Sequence, residues 1–217
     1  METTDLANLI KGRRSIRTWQ NKPVPEEMLL EAIELATYAP NAGNQQNWQF
    51  YMVLKTETIK ALADAVQASA DNIARWPEAQ KFGDTVTKML QKLSLFRAAP
   101  ALVVVAASQY QSAVEQLVVL REKSDPAAKL IRDWRNIANS RIQSVASAVA
   151  YLLLVLHQMG LGAVWMTGPI QAKGEIEKVL KVPASIDVVA LIPVGFPAEN
   201  PALRARKPLK EVCTVIR

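Results

Sequence analysis

The sequence is poor in the residues that build disulfides and many metal or acyl-transfer sites. Of its 217 residues only one is cysteine and only one is histidine. The single Cys213 excludes an internal disulfide and an all-cysteine metal site. A Ser-His-Asp triad would need His157, and no Gly-x-Ser-x-Gly motif offers a nucleophilic serine to it. We therefore expect His157 to be a helix-end or core residue and Cys213 to be packed in the apolar tail.

Signals for export and for membrane insertion are also lacking. The opening residues are polar and acidic, without the basic segment and apolar core of a signal peptide. The longest apolar run, residues 145–156, is too short to cross a bilayer and predicts a buried helix. With 50% hydrophobic and 21% charged residues, the chain predicts one folded domain over residues 1–217. The single cysteine and the missing signals predict a reducing cytoplasm and no membrane partner.

Acidic residues are outnumbered, since 26 lysines and arginines face 20 aspartates and glutamates and give a formal net charge of +6. Such a balance favours anionic ligands, among them phosphates and nucleic acids. Apart from two short clusters, residues 11–17 and 204–210, the cations are spread along the chain. Neither cluster alternates with aromatic residues as a single-strand binder would require. We therefore predict no nucleic-acid partner, and salt-dependent DNA or RNA binding would revive that alternative.

Helical and strand patterns alternate along the chain, and no repeat or low-complexity linker interrupts them. Helical spacing covers residues 5–11, 25–39, 58–75, 77–96, 112–121, 126–159 and 174–181. Apolar and β-branched runs predict strands at residues 48–55, 101–108, 163–166 and 187–196, with residues 212–216 as a candidate edge strand. The nearly uninterrupted run at 101–108 is typical of a strand covered on both faces. The simplest architecture is one layered domain of the α/β type.

Three arginines fall within five residues, at Arg13, Arg14 and Arg17, next to Ser15. Guanidinium groups bind phosphate and carboxylate oxygens through paired N–H donors, and a serine hydroxyl adds a further donor. If the segment is extended, Arg13, Ser15 and Arg17 share one side and Arg14 takes the other. Taken alone, the cluster is equally compatible with an anion site and with a solvated basic turn.

Three further segments have the residue types of a ligand site, and each also has a plain structural explanation. Residues 40–47 hold five asparagine or glutamine amides around Gly43, more than a helix-to-strand turn requires. Residues 162–169 predict a short strand ending in a small-residue loop, where backbone N–H groups can approach a planar ligand. Residues 193–197 lead to the second basic cluster, which is either a further anion contact or a solvated tail.

The order of these four segments, over about residues 5–215, resembles the nitroreductase family. The resemblance implies a nitroreductase-like α+β fold, with a central mixed, mainly antiparallel sheet flanked by helices, in an intertwined homodimer with two FMN sites at the interface. By position, the two basic clusters hold the FMN phosphate and the pyrimidine side of the ring. Residues 40–45, with Asn41 in place of the commoner serine, reach over from the other subunit, and residues 166–168 face the ring near its N5 atom. The implied FMN-binding residues are Arg13, Arg14, Ser15, Arg17, Pro40, Asn41, Ala42, Asn44, Gln45, Met166, Thr167, Gly168, Arg204, Arg206 and Lys207.

The same resemblance implies an FMN-dependent oxidoreductase in which NADH or NADPH reduces the flavin and then leaves. A nitroaromatic, a quinone or a similar electron-poor small molecule takes the electrons in a ping-pong cycle. No metal and no protein nucleophile is required, and Arg17 is expected to stabilise negative charge on the reduced ring near N1 and the C2 carbonyl.

Residues 58–140 leave the substrate open. The candidates there for flavin or substrate contacts are Asn72, Arg75, Lys81, Lys88 and Trp134. Two other functions share the same residues: a flavin store or sensor without turnover, and a dehalogenase or dehydrogenase on the same fold.

Overall fold

An antiparallel sheet lies at the centre of residues 3–217, which the computed structural model describes. Its strands are β1 (Trp48–Val53), β2 (Ala101–Ser108), β3 (Gly162–Ala163) and β4 (Ile186–Gly195), and their order across the sheet is β1-β2-β4-β3. β2 pairs with both β1 and β4 and is buried along almost its whole length. Ser15 adds one parallel bridge to Ala163. The pairing is therefore mainly antiparallel with one parallel contact, which confirms the predicted sheet.

Helices cover both faces of this sheet. They are α1 (Thr3–Gly12), α2 (Glu26–Ala36), α3 (Thr56–Ala74), α4 (Asp84–Leu90), α5 (Ala113–Arg121), α6 (Pro126–Ala138), α7 (Ser140–Gln158), α8 (Lys173–Leu180) and α9 (Leu209–Val212). On one face, α2 and α7 pack against Val103 and Val105. On the other, α3 and α8 pack against Leu102 and Val104. The alternation along β2 thus places apolar side chains in two cores, as predicted for a strand covered on both faces.

Two predicted helices are divided, each at a residue with positive φ. Residues 77–96 form a 3₁₀ turn, α4 and a second 3₁₀ turn, because Gly83 adopts φ +54°. Residues 126–159 divide at Asn139, which has φ +42°. The Asn139 side-chain oxygen accepts a hydrogen bond from the Ile142 N–H at 3.1 Å and caps α7. Glycine and asparagine tolerate this backbone region better than other residues, so apolar periodicity alone does not reveal the breaks.

The C-terminal tail also differs from its prediction. Residues 212–216 form no strand, and the segment holds only the single turn of α9 before an exposed end. Cys213 is exposed and not packed. An apolar run becomes a strand only where a sheet edge is within reach, and in this chain the tail lies on none.

The apolar segment Pro126–Gln158 is long and apolar enough to cross a membrane by length and composition. Its apolar half is α7, which buries Val145, Val149, Leu152 and Leu156 against the sheet. That is the packing of a core helix, as predicted for residues 145–156.

Candidate functional site

A cavity of about 860 Å³ lies where the two ends of the chain meet. Its cations, all on the two basic clusters, are Lys11, Arg13, Arg14, Arg17, Arg204 and Arg206, and Ser15 lies among them. Its apolar side chains are Ile10, Ala150, Leu153, Leu154, Trp165, Pro201, Ala202 and Leu203. The tertiary structure thus unites two basic clusters that are far apart in sequence.

Residues 13–19 form the first wall because they run along β3. The Ile16 N–H donates to the Ala163 carbonyl at 3.0 Å, and Trp19 Nε1 donates to the Gly162 carbonyl at 2.9 Å. Ile16 turns into the core with 7% of its surface exposed. A Cβ at Gly162 would lie 2.7 Å from the Ile16 side chain, so this close approach requires glycine.

Arg14 departs from the predicted alternation, since it lines the same cavity as its neighbours. Its guanidinium donates to the carbonyls of Lys11 (2.6 Å), Gly12 (3.0 Å) and Arg13 (2.9 Å) at the end of α1. A cation is favoured there by the orphan carbonyls of the last turn. The Arg14 Nε is buried and has no hydrogen-bond partner. The guanidinium is thus fixed by the chain itself, and it adds positive charge beside the cavity.

The cavity carries uncompensated positive charge. The pKa of Arg13 is lowered, first by burial and then by the charges of Arg14 and Arg206. Near the end of α7, the pKa of His157 is lowered by burial and then by Arg13 and Arg14. Among the described residues, no salt bridge joins any of the six cations to a carboxylate. Bound anionic charge would relieve this repulsion.

The second wall follows β4 and is attached to the first by backbone pairing. The Gln20 N–H donates to the Phe196 carbonyl at 2.9 Å, and the Ala198 N–H donates to the Thr18 carbonyl at 3.0 Å. Beyond this pairing, Arg204 and Arg206 line the cavity. Lys207 is exposed and lies outside the lining residues.

The predicted loop of residues 40–45 does not line the cavity and instead contacts the first half of α7. The Ala42 N–H donates to Ser144 Oγ at 3.0 Å, and Ser147 Oγ donates to the Pro40 carbonyl at 2.6 Å. The cavity touches α7 at Ala150, Leu153 and Leu154, further along the helix. The loop therefore does not contribute to the cavity of its own chain, and its place in the site of a second subunit stays a prediction.

Several amide side chains of this loop form hydrogen bonds within the chain, which the sequence analysis did not predict. Asn41 Oδ1 accepts from the Gln46 N–H at 2.9 Å, and Gln45 Oε1 accepts from the Gln111 N–H at 3.0 Å. Asn44 is exposed at φ +50°. Part of the amide content is therefore explained by the turn.

The predicted ring-facing residues begin immediately after the lining residue Trp165. They are Met166, Thr167 and Gly168, and none of them lines the cavity. Met166 is buried, and its N–H and carbonyl both pair with Leu191 at 2.9 Å. A Cβ at Gly168 would collide with a methyl of Leu93, so the loop is packed closely against that side chain.

The candidates from the middle of the chain are not brought to the cavity. They are Asn72, Arg75, Lys81, Lys88 and Trp134. Arg75 Nε donates to the Asp71 carbonyl at 3.1 Å, and Lys88 pairs with Asp84 at 3.8 Å. Trp134 is 59% exposed on α6.

Sequence reasoning missed the apolar lining and one acid. Leu153 and Leu154 are consecutive on a helix, where both cannot face the same core, and this was an available signal. Trp165 lies inside the recognised segment 162–169, but the ring-facing assignment began one residue later, at Met166. Glu199 is the sole acid between β4 and the second basic cluster, and its side chain contacts the first wall.

Comparison with known proteins identifies the family of this chain. Residues 10–196 match the nitroreductase family. A protein from Methanothermobacter thermautotrophicus, provisionally named an NADH dehydrogenase/NAD(P)H nitroreductase, is 28% identical over 203 residues, which cover 92% of this chain and 81% of that protein. An iodotyrosine deiodinase from Thermotoga neapolitana is 26% identical over 200 residues, which cover 88% of each chain.

A solved structure extends the likeness over the whole chain. The BluB-like flavoprotein from Clostridium difficile 630 superposes with a TM-score of 0.85 at 28% identity, covering 100% of both chains. The sheet and the helices on its two faces are consistent with the family match over residues 10–196 and with the fold of the superposed structure. This chain belongs to the nitroreductase family and is an oxidoreductase of the flavoprotein type.

Proposed function

We propose that this chain is an FMN-dependent oxidoreductase that takes electrons from NADH or NADPH and reduces a nitroaromatic, a quinone or a related electron-poor small molecule. One observation carries the proposal: the basic clusters at the two ends of the chain line a single cavity. The NAD(P)H nitroreductase name of one relative and the flavoprotein name of the superposed structure support it.

The residues of the cavity fit FMN. Arg13, Ser15 and Arg206 offer donors to a phosphate dianion, and Arg14, whose guanidinium is held at the end of α1, adds positive charge beside them. Trp165 and the α7 leucines offer apolar contact to a planar ring. The volume of about 860 Å³ lies within the usual range for a cofactor pocket, roughly 300–1,000 Å³. When bound, FMN supplies two-electron chemistry at its N5 atom, and the protein supplies binding and electrostatics.

Arg17 is assigned the electrostatic role. Its guanidinium donates to the Ser15 carbonyl at 3.3 Å, and its charge is not neutralised by a carboxylate among the described residues. A fixed cation beside N1 and the C2 carbonyl would stabilise the negative charge that the ring gains on reduction. Arg17 therefore tunes the electron affinity of the site and takes no part in covalent chemistry.

We also propose that two copies of the chain complete the site. The 40–45 loop lies outside its own cavity, and apolar side chains are exposed beside the cavity, with Tyr151 at 42%, Trp165 at 39% and Leu203 at 72%. Light scattering should give twice the chain mass of 23.9 kDa. A stable monomer with full activity would contradict a shared site.

The decisive experiment is anaerobic stopped-flow spectroscopy of the FMN-loaded protein. NADH and NADPH are tested separately as reductants, and the reduced protein is then mixed with a nitroarene, a quinone and 3-iodo-L-tyrosine. Bleaching by a nicotinamide followed by rapid reoxidation by the nitroarene or quinone is the expected result. A protein that takes up no FMN would overturn the proposal, and one that binds FMN without bleaching would be a store or sensor.

Reductive deiodination is the second candidate. It is favoured by the 26% identity to an iodotyrosine deiodinase over 88% of the chain. Reoxidation by 3-iodo-L-tyrosine with release of iodide, faster than by the nitroarene and the quinone, would select this reaction.

A further inference from the structure

Glu199, on the second wall of the cavity, makes two hydrogen bonds to the first wall. Its Oε1 accepts hydrogen bonds from the backbone N–H groups of Arg17 and Thr18, the latter at 2.9 Å. Within residues 3–217, these consecutive N–H groups have no other acceptor. An ionised acceptor makes such bonds shorter and stronger than a neutral one does. Glu199 is thus bound to the same segment that carries the first arginine cluster.

The two contacts lie where the backbone pairing between the walls stops. The last paired residue is Ala198, whose N–H donates to the Thr18 carbonyl. We call residues 199–207 the C-terminal arm. Beyond Glu199, no described residue of the arm hydrogen-bonds to residues 13–20. Glu199 is therefore the last anchor of the arm before Arg204 and Arg206 reach the cavity.

The carboxylate gives this anchor without neutralising the cavity. No salt bridge within 4.0 Å joins Glu199 to a lysine or arginine of the described chain. One of its oxygens serves main-chain N–H groups, whereas an ion pair would consume a guanidinium that the FMN phosphate or ring needs. The six cations of the cavity therefore stay available to an anionic ligand.

We propose that Glu199 is a positioning residue of the flavin site, which holds the Arg17 peptide and the C-terminal arm in one geometry. This rests on the proposed FMN function. The role is structural at Glu199 and electrostatic at Arg17, since Glu199 acts on the ligand only through the cations that it places.

Charge and position predict opposite outcomes for Glu199→Gln. The substitution removes a negative charge from the segment that carries the first arginine cluster, so charge alone would tighten FMN binding. The positioning role instead predicts FMN binding that is weaker by about tenfold, because a neutral amide oxygen replaces a charged acceptor of two hydrogen bonds. Glu199→Asp keeps the charge and shortens the side chain, so positioning again predicts weaker binding while charge alone predicts no change.

Binding is measured by quenching of flavin fluorescence on titration of apoprotein into FMN. The midpoint potential of the bound flavin is the second readout, and it should shift to more negative values because Arg17 is no longer held beside the ring. A role confined to stability would lower the melting temperature and leave that potential unchanged. The control is Glu211→Gln, since Glu211 is an exposed carboxylate of the same tail without a side-chain hydrogen bond or salt bridge among the described residues, and this variant should bind FMN as the wild type does.

Trypsin provides a readout that needs no flavin. Release of the arm should speed cleavage of the apoprotein after Arg204 and Arg206 in Glu199→Gln and Glu199→Asp, and not in Glu211→Gln. Unchanged cleavage rates would overturn the anchoring role.

The outcomes separate this proposal from the one it rests on. A wild-type protein that binds no FMN overturns the proposed function. In that case the trypsin cleavage rates of the apoprotein alone test whether Glu199 anchors the arm. A wild type that binds FMN while Glu199→Gln binds it equally or more tightly overturns the positioning role alone. If Glu199→Gln does not fold, Glu199→Asp carries the same comparison.

Discussion

Replacing Arg206 by alanine should weaken FMN binding without destabilising the fold. Arg206 is exposed and its charge lowers the pKa of Arg13, so the two cations repel each other when no anion is bound. Removing Arg206 removes that repulsion from the apoprotein. The apoprotein melting temperature should therefore stay unchanged or rise slightly, while the affinity for FMN falls.

The size of the loss follows from the bonds that a phosphate would make. A hydrogen bond to a charged group contributes about 1.5–3 kcal/mol, and each 1.4 kcal/mol is about tenfold in Kd. Arg206→Ala should therefore raise the Kd for FMN by about 10- to 100-fold. Arg13 is partly buried, so screening by water is weaker and Arg13→Ala should lie near the upper end of this range.

The assay is fluorescence titration of FMN at low and at high salt, with Lys210→Ala as the matched control. Lys210 is exposed on the same tail and does not line the cavity. The double variant should lose less than the sum of the single losses, because both arginines address one phosphate. Normal FMN affinity in both Arg13→Ala and Arg206→Ala would refute the phosphate assignment. An equal loss of affinity in Lys210→Ala would show that the loss arises from net charge and not from a contact in the cavity.

Two further predictions concern residues next to the cavity. Because the pKa of His157 is lowered from 6.5 in the folded chain, the unfolded chain binds the proton first, so stability should fall as pH decreases below about 6.5. Thermal melts from pH 7.5 to 5.5 should show this slope reduced in His157→Gln and reduced by saturating FMN, and an identical slope in the variant would exclude His157 as its source. Gly162→Ala places a Cβ 2.7 Å from Ile16 and should cost about 1–3 kcal/mol through overpacking, measured by urea unfolding. An unchanged urea midpoint would show that the Ile16 side chain moves away from the added methyl group at no cost in stability.

The sequence by itself determined most of the sheet and indicated the two basic clusters that line the cavity. The buried strand β2 was predicted at residues 101–108, its exact bounds, because a run of valines and alanines covered on both faces leaves little freedom of assignment. The arginine cluster at 13–17 was recognisable because guanidinium groups and a serine in five residues suit an anion. Local chemistry and periodicity are written directly in the order of residues.

Only the tertiary structure decided which of these segments meet. Arg13 and Arg206 share a cavity because Ile16 pairs with Ala163 and Ala198 pairs with Thr18, and neither contact leaves a local pattern. The helix breaks at Gly83 and Asn139 depend on single backbone angles, which an amphipathic pattern does not report. Glu199 was overlooked because it accepts from the N–H groups of Arg17 and Thr18, near the other end of the chain, and long-range hydrogen bonds have no sequence spacing by which to be recognised.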